Sequence, residues 1–362
     1  MSDAPDKRAE RACAEDLLTA FLAAGAERVE PDILLPADTL LDLYGEDIRA
    51  RAFVTQGPDG GEAMLRPDFT VPIVQRHMAT RADPARYAYA GEIFRRQTRA
   101  DRSAEYLQAG FELFGGVPAD ADAEVFALIQ AVLAPLSPRV ATGDLGVLTA
   151  LVRGFETSER RRAALMRHIW RPARFAALLD RFSGRTPVSP ARAALLAESD
   201  PMAEAGAEIG LRSRAEVEAR IAALRADAAE PPLSKAQVDA IGALLALDMP
   251  SPAALVQLYD IASEMPGIAD AVDGVARRLD ALVKHGIDVS ALPFDGALGR
   301  GTMEYYDGFV FTFRLAGRDD LPPLATGGRY DALTRALGGG ADMRAVGGVI
   351  RPAVMLAGDA PC

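Results

Sequence analysis

Strand-forming sequence stands towards both ends of this chain, and a long helical stretch separates the two parts. That order constrains the fold more than any single motif does. Glu105–Phe114 alternates strictly, with Leu107, Ala109, Phe111 and Leu113 on one face and Tyr106, Gln108, Gly110, Glu112 and Phe114 on the other, because successive strand side chains point to opposite sides. Tyr87–Phe94 precedes it across a polar, Arg-rich loop, and Met303–Leu315 carries the alternating Phe309, Phe311 and Phe313 after the turn dipeptide Asp307-Gly308. Residues 117–288, in between, read as helical and Ala-rich, with helix starts at Ser189-Pro190, Ser251-Pro252 and the capping box Ser234-Lys-Ala-Gln237. Val272, Val275, Leu279, Leu282 and Val283 form a helical stripe that ends at Gly286. Arg8–Ala24 predicts an amphipathic helix closed by Gly25, and Glu30–Gly60 an irregular segment around Ile33-Leu34-Leu35. Helix, strands, helical stretch and strands together give an α+β fold with an antiparallel sheet, not a regular βαβ array.

The 362 residues suffice for two or three domains, or for one large domain with an insert. We read 1–116 and 289–362 as the core and 117–288 as a largely helical insert. No apolar run is long enough to span a bilayer. The charged start MSDAPDKRAERACAEDLL lacks a signal core, which points to a cytoplasmic protein without membrane contact. Cys13 and Cys362 read as reduced bystanders, as expected of cytosolic cysteines. His77, His168 and His285 lie far apart without the spacing of metal ligands, so they read as surface or packing residues. The net charge of −11 opposes nucleic-acid binding. The basic clusters Arg95-Arg96, Arg99–Arg102 and Arg160-Arg161-Arg162 do not alternate with aromatics as a single-strand groove would.

Alternation points Gln108 and Glu112 the same way, and Gly110 between them either leaves room for a ligand to lie on the sheet or marks a bulge. Five segments, in order, then resemble the class II aminoacyl-tRNA synthetase catalytic domain in its histidyl form. Pro31–Pro36 stands where the first motif, which builds a dimer interface, belongs. Leu65–Thr70 (LRPDFT) is similar to LRPEGT, and Glu92–Arg95 through Gln108–Glu112 to the second motif. Arg300–Phe311 (RGTMEYYDGFVF) is similar to the histidine-specific RGLDYYTGTVFE, and Thr326–Leu333 to the GGRYD segment.

This resemblance implies a pocket for free histidine. A zwitterionic amino acid needs acceptors for its ammonium, a cation for its carboxylate and a partner for each imidazole nitrogen. By the resemblance, Asp68, Thr70 and Gln108 would take the ammonium, and Arg95 with Arg300 the carboxylate. Glu112, Tyr306 and Tyr330 would read the imidazole, with Tyr305 beside them in the motif.

The departures matter as much as the matches. Asp68 and Phe69 replace Glu and Gly, Ala104 replaces a basic residue, and Arg300 lies one residue further from Tyr305-Tyr306 than the pattern expects. Val354 stands where the third motif has its nucleotide-binding arginine, with Arg351 three residues away. Adenylation requires cations on the transferring phosphates, and that set is depleted. The anticodon-binding domain that would follow the third motif is not expected.

Such a chain resembles the regulatory subunits of ATP phosphoribosyltransferase. The resemblance implies no catalytic residue, cofactor or metal, a homodimer through the synthetase-like core, and a hetero-octamer with the short-form catalytic subunit, in which L-histidine acts as feedback effector. The alternative is a truncated histidyl-tRNA synthetase-like enzyme that activates histidine with ATP.

Overall fold

Asp6 opens the first helix by accepting the backbone N–H of Arg8, and Gly25 closes it at φ +88°, so α1 (Lys7–Ala23) forms where the sequence predicts it. The computed structural model describes residues 6–58, 60–97, 102–203, 205–301 and 305–358. After α1 come β1 (Glu27–Arg28), β2 (Leu34–Pro36), α2 (Ala37–Tyr44), β3 (Val54–Gln56), β4 (Glu62–Leu65), α3 (Thr70–Thr80), β5 (Ala85–Phe94) and β6 (Glu105–Phe114). The middle of the chain holds α4 (Pro118–Leu133), β7 (Arg139–Asp144), α5 (Leu145–Arg153), α6 (Glu159–Arg167), α7 (Pro172–Phe182), α8 (Pro190–Ala197), α9 (Arg214–Ala229), α10 (Lys235–Leu245), β8 (Asp248–Pro250), α11 (Ser251–Glu264) and α12 (Ala269–Lys284). Then follow β9 (Pro293–Asp295), β10 (Phe309–Arg314), β11 (Ala325–Arg329), α13 (Asp331–Leu337), β12 (Ala345–Ile350) and α14 (Pro352–Leu356). No described helix is long and apolar enough to cross a membrane.

Among the described residues the main sheet has nine strands in the order β1-β5-β6-β12-β11-β10-β7-β9-β8, and a small sheet pairs β2-β4-β3. Pairing is antiparallel except at β1·β5 and β7·β9, so the α+β expectation holds with a sheet that is mixed at two junctions. β5 and β6 pair along their full length, from Ala85↔Phe114 to Phe94↔Glu105. Both faces of β6 are covered, as befits a central strand. Phe111, Leu113, Phe309, Phe311 and Phe313 pack against Leu18 and Phe21 of α1, Phe126 and Ile129 of α4, and Leu282 of α12. The opposite face is rich in tyrosine: Tyr87, Tyr89, Phe114, Tyr306 and Tyr330 pack with Phe69, Ile73 and Val74 around α3.

Several expectations need correction. Residues 117–288 are largely helical but also supply two strands, β7 and β8, to the main sheet. A buried ion pair also ties this segment to the core, Arg329 of β11 binding Asp122 of α4 at 2.7 Å, while Arg278 of α12 binds Asp144 of β7 within the segment at 2.6 Å. Val283 is 55% exposed and leaves the α12 stripe. The helix start expected at Ser251-Pro252 does hold, with Ser251 the first residue of α11 and its hydroxyl donated to Leu292 O. Asp307 accepts the backbone N–H groups of Asp331 and Ala332, so it holds the start of α13 where the sequence suggested a turn. Glu30–Gly60 contains β2, α2 and β3 instead of irregular chain. Cys13 is disulfide-bonded, not reduced, while Cys362, Arg99 and Met303 lie outside the described residues.

Candidate functional site

Glu112 stands at the middle of the tyrosine-lined face, and two glycines decide what surrounds it. Gly347 of β12 is directly opposite it in the ladder, and a Cβ there would lie 1.6 Å from Glu112 Oε2. Only a residue without a side chain lets a carboxylate occupy that spot. Gly110 serves differently, because a Cβ there would meet the Tyr89 ring at 2.2 Å. The room expected over Gly110 is therefore filled by the chain's own Tyr89, which stacks on Phe69 at 4.3 Å. The large ring of Phe69 is thus part of the pocket wall, with the Arg66 guanidinium 4.1 Å above it.

Three hydroxyls converge on the carboxylate. Thr70 Oγ1 donates to Oε1 at 3.0 Å, Tyr89 Oη to Oε1 at 3.4 Å and Tyr330 Oη to Oε2 at 2.6 Å. Burial pushes the Glu112 carboxyl up to about 7, against the pull of the Tyr330, Thr70 and Tyr89 hydroxyls and with the help of nearby Asp68. Asp68 is 7% exposed and accepts the Val71 backbone N–H at 3.2 Å. Burial raises it too, while Arg95, 3.9 Å away, opposes the rise. Tyr305 and Tyr306 close the cluster with ring centroids 4.6 Å apart, and Tyr305 lies 6.0 Å from Tyr330. Burial, then Asp68, pushes the Tyr305 phenol up to about 12, so it remains a hydrogen-bond donor. Gln108 is buried on the same face and forms no side-chain hydrogen bond to a described residue.

The cationic end contains one residue the motif comparison did not place. Arg95 donates Nε–H to Pro67 O at 2.6 Å. Arg351, at the start of α14, donates to Pro323 O at 2.7 Å, and its guanidinium lies in the field of Tyr106, Arg95, Tyr306 and Tyr305. Burial lowers the Arg351 pKa, and the neighbouring Arg95 charge lowers it further. Its signal in the sequence was its closeness to the third motif; only the fold shows that it lies in the field of Arg95. Arg300 goes elsewhere. It donates to Ile169 O at 3.1 Å, lies over the Phe175 ring at 4.7 Å and leaves Nη2 buried without a partner. Among the described residues it makes no hydrogen bond or ion pair to another candidate. Val354 is 5% exposed and packs into the apolar layer with α1, so that position serves the core.

The cluster therefore gathers two acids, several phenols and two guanidiniums among aromatic rings, with Asp68 and Arg95 3.9 Å apart.

The histidyl-tRNA synthetase family model matches residues 3–226 and 194–353. An ATP phosphoribosyltransferase regulatory subunit of Brucella canis is 32% identical over 337 residues, covering 87% of this chain and 89% of that protein. Its counterpart in Brucella abortus is equally similar, at 32% identity over 87% of this chain and 88% of its own length. A solved structure from Bacillus halodurans, described as an ATP phosphoribosyltransferase regulatory subunit/histidyl-tRNA synthetase, superposes with a TM-score of 0.69 at 23% identity, covering 100% of this chain and 82% of its own. Histidyl-tRNA synthetase from Nostoc gives 0.65 at 15% identity over 99% of this chain and 74% of its own, which shows the shared fold. The chain belongs to the ATP phosphoribosyltransferase regulatory subunit family, a branch of the histidyl-tRNA synthetase-like class II fold.

Proposed function

We propose that this chain is a non-catalytic regulatory subunit of ATP phosphoribosyltransferase, serving the first step of histidine biosynthesis, and that it binds free L-histidine as feedback effector. The observation that carries this reading is the Glu112 carboxylate, held by three hydroxyls in a cluster that also contains Asp68, Arg95 and Arg351. A zwitterion with a polar ring is the complement of that arrangement. Asp68, Thr70 and Gln108 receive the ammonium. Arg95 takes the carboxylate together with Arg351, which assumes the part the resemblance gave to Arg300. Glu112 accepts an imidazole N–H, and Tyr306 and Tyr330 meet the ring beside Tyr305.

The protein dimerises through its synthetase-like core and joins short-form catalytic subunits in a hetero-octamer. Feedback is linkage: histidine prefers one state of the assembly, and that preference lowers activity at a distant site. The apolar burial of Val354 supports the absence of adenylation chemistry, since a phosphate grip is missing there.

Calorimetric titration with L-histidine, paired with an ATP–pyrophosphate exchange assay, tests the reading. The expected result is saturable histidine binding at one site per chain and no exchange above background. Histidine-dependent exchange would instead make the chain a histidine-activating enzyme. An absence of histidine binding would remove the effector role.

A further inference from the structure

A second charged cavity, of about 440 Å³, lies in the helical layer between α6, α7 and α9. Arg160, Arg161, Arg167, Arg181 and Arg220 line it, over an apolar floor that includes Leu178. Asp227 is its acidic member, and that carboxylate is already engaged by Arg161 at 2.9 Å and Arg192 at 3.1 Å. The other acids close by are also occupied: Glu230 accepts from Thr157 and Ser158, and Glu159 pairs with Arg162. Arg160, Arg167, Arg181 and Arg220 form no ion pair with any described residue. His168 adds a buried ring nitrogen, Nδ1, that lacks a partner at the rim.

We infer that this cavity is a binding site for a small oligophosphate, the di- or triphosphate portion of a nucleotide or an inorganic polyphosphate. Four unpaired guanidiniums from three helices around one cavity carry more charge than a single phosphate neutralises, and about as much as a di- or triphosphate bears. Guanidinium matches phosphate oxygens in bidentate geometry, and the volume falls in the range of small-molecule sites. Like-charged neighbours disfavour the charge on Arg181. Burial lowers the Arg181 pKa, Asp227 opposes this, and Arg192, Arg161 and Arg220 lower it further. A compact cavity of about 440 Å³ on a chain of net charge −11 fits a small anion better than a nucleic-acid strand, which needs an extended basic track.

The test is calorimetric titration of the full-length protein with pyrophosphate, ADP and adenosine, repeated on Arg181→Gln/Arg220→Gln and, separately, on Arg351→Gln. Arg220 is exposed and Arg181 lies over the Phe182 ring at 4.6 Å, so a melting curve checks that the double variant folds. Pyrophosphate and ADP are expected to bind at one site per chain, at least tenfold more weakly in 0.5 M salt, and adenosine not at all. The double variant is expected to lose at least tenfold in affinity while Arg351→Gln keeps it. Equal binding of pyrophosphate and ADP would assign the site to the phosphate chain alone; tighter ADP binding would assign it to nucleotides. The inference is overturned if neither anion binds, or if Arg351→Gln abolishes binding and the double variant does not, because the ligand then sits in the synthetase-like pocket. A polyglutamate peptide that binds where pyrophosphate does not would also overturn it, making the cavity a docking site for an acidic segment.

Discussion

In the tyrosine-lined pocket the charged groups find partners within the chain. Glu112 has three hydroxyls, Asp68 has a backbone N–H and Arg95 nearby, and Arg351 has a carbonyl. In the arginine cavity four guanidiniums without an ion pair to any described residue share the lining, and the single acid there is committed to other arginines. The first pocket is preorganised at depth and mixes both signs of charge. The second is shallow and strongly cationic. A buried carboxylate must be satisfied or it protonates, whereas exposed guanidiniums can wait for a ligand at the cost of mutual repulsion alone. The first site is therefore expected to be selective in shape and pH-dependent, the second tolerant in shape and salt-dependent.

The largest break should come from Gly347→Ala. Its Cβ would fall 1.6 Å from Glu112 Oε2 with a backbone carbonyl close behind. Overpacking of this kind costs about 2–4 kcal/mol, and a drop in melting temperature with lost L-histidine binding checks it, while pyrophosphate affinity at folding temperatures stays unchanged. Glu112→Ala should weaken L-histidine binding at least 100-fold, about 2.7 kcal/mol, with the fold retained; calorimetry showing parental affinity would mean the pocket is misassigned.

Glu112→Gln sharpens the comparison through pH. The folded carboxyl titrates at about 7 against an ordinary 4.5, so the folded state binds its proton more tightly than the unfolded chain does. Its contribution to stability is complete below pH 4.5 and is lost as pH rises through 7. The glutamine variant should thus gain up to about 3 kcal/mol over the parent at pH 8 and nothing at pH 4, measured by urea unfolding at both values. A gain that does not shrink on acidification would contradict the buried, ionisable role.

Smaller still, Arg351→Gln should cost roughly tenfold in L-histidine affinity, about 1.4 kcal/mol, without touching the arginine cavity. Trp170, the single tryptophan of the chain, donates to Tyr306 O at 3.3 Å and sits two residues from His168 at the cavity rim. Its fluorescence should change on histidine addition and only slightly on pyrophosphate addition. Equal changes would mean that the two pockets are not as separate as their geometry implies.

Much of the first pocket was legible because a strand has a period of two: Gln108 and Glu112 had to share a face, and Phe309, Phe311 and Phe313 had to share another. The arginine cavity was not legible, since Arg160 and Arg161, Arg181 and Arg220 come from three helices whose packing no local pattern encodes. β7 was missed because Arg139-Val-Ala-Thr-Gly-Asp144 is short and polar at both ends, and becomes a strand by pairing with β10. Gly110 was read as ligand space because its cross-strand partner, Tyr89, is invisible to a one-strand argument.

The sequence by itself determined the α+β order, the central alternating strand, the helix starts that Ser189 and Ser234 cap, and the family to which the motifs belong. Those features rest on local backbone chemistry and periodicity, which neighbours in the chain suffice to specify. Tertiary structure alone decided that Tyr89 fills the space over Gly110, that Gly347 admits Glu112, that Arg351 lies in the field of Arg95, and that arginines from three helices line one cavity. Each of these depends on which distant segments share a surface, and burial there sets both the space and the charge that a side chain experiences.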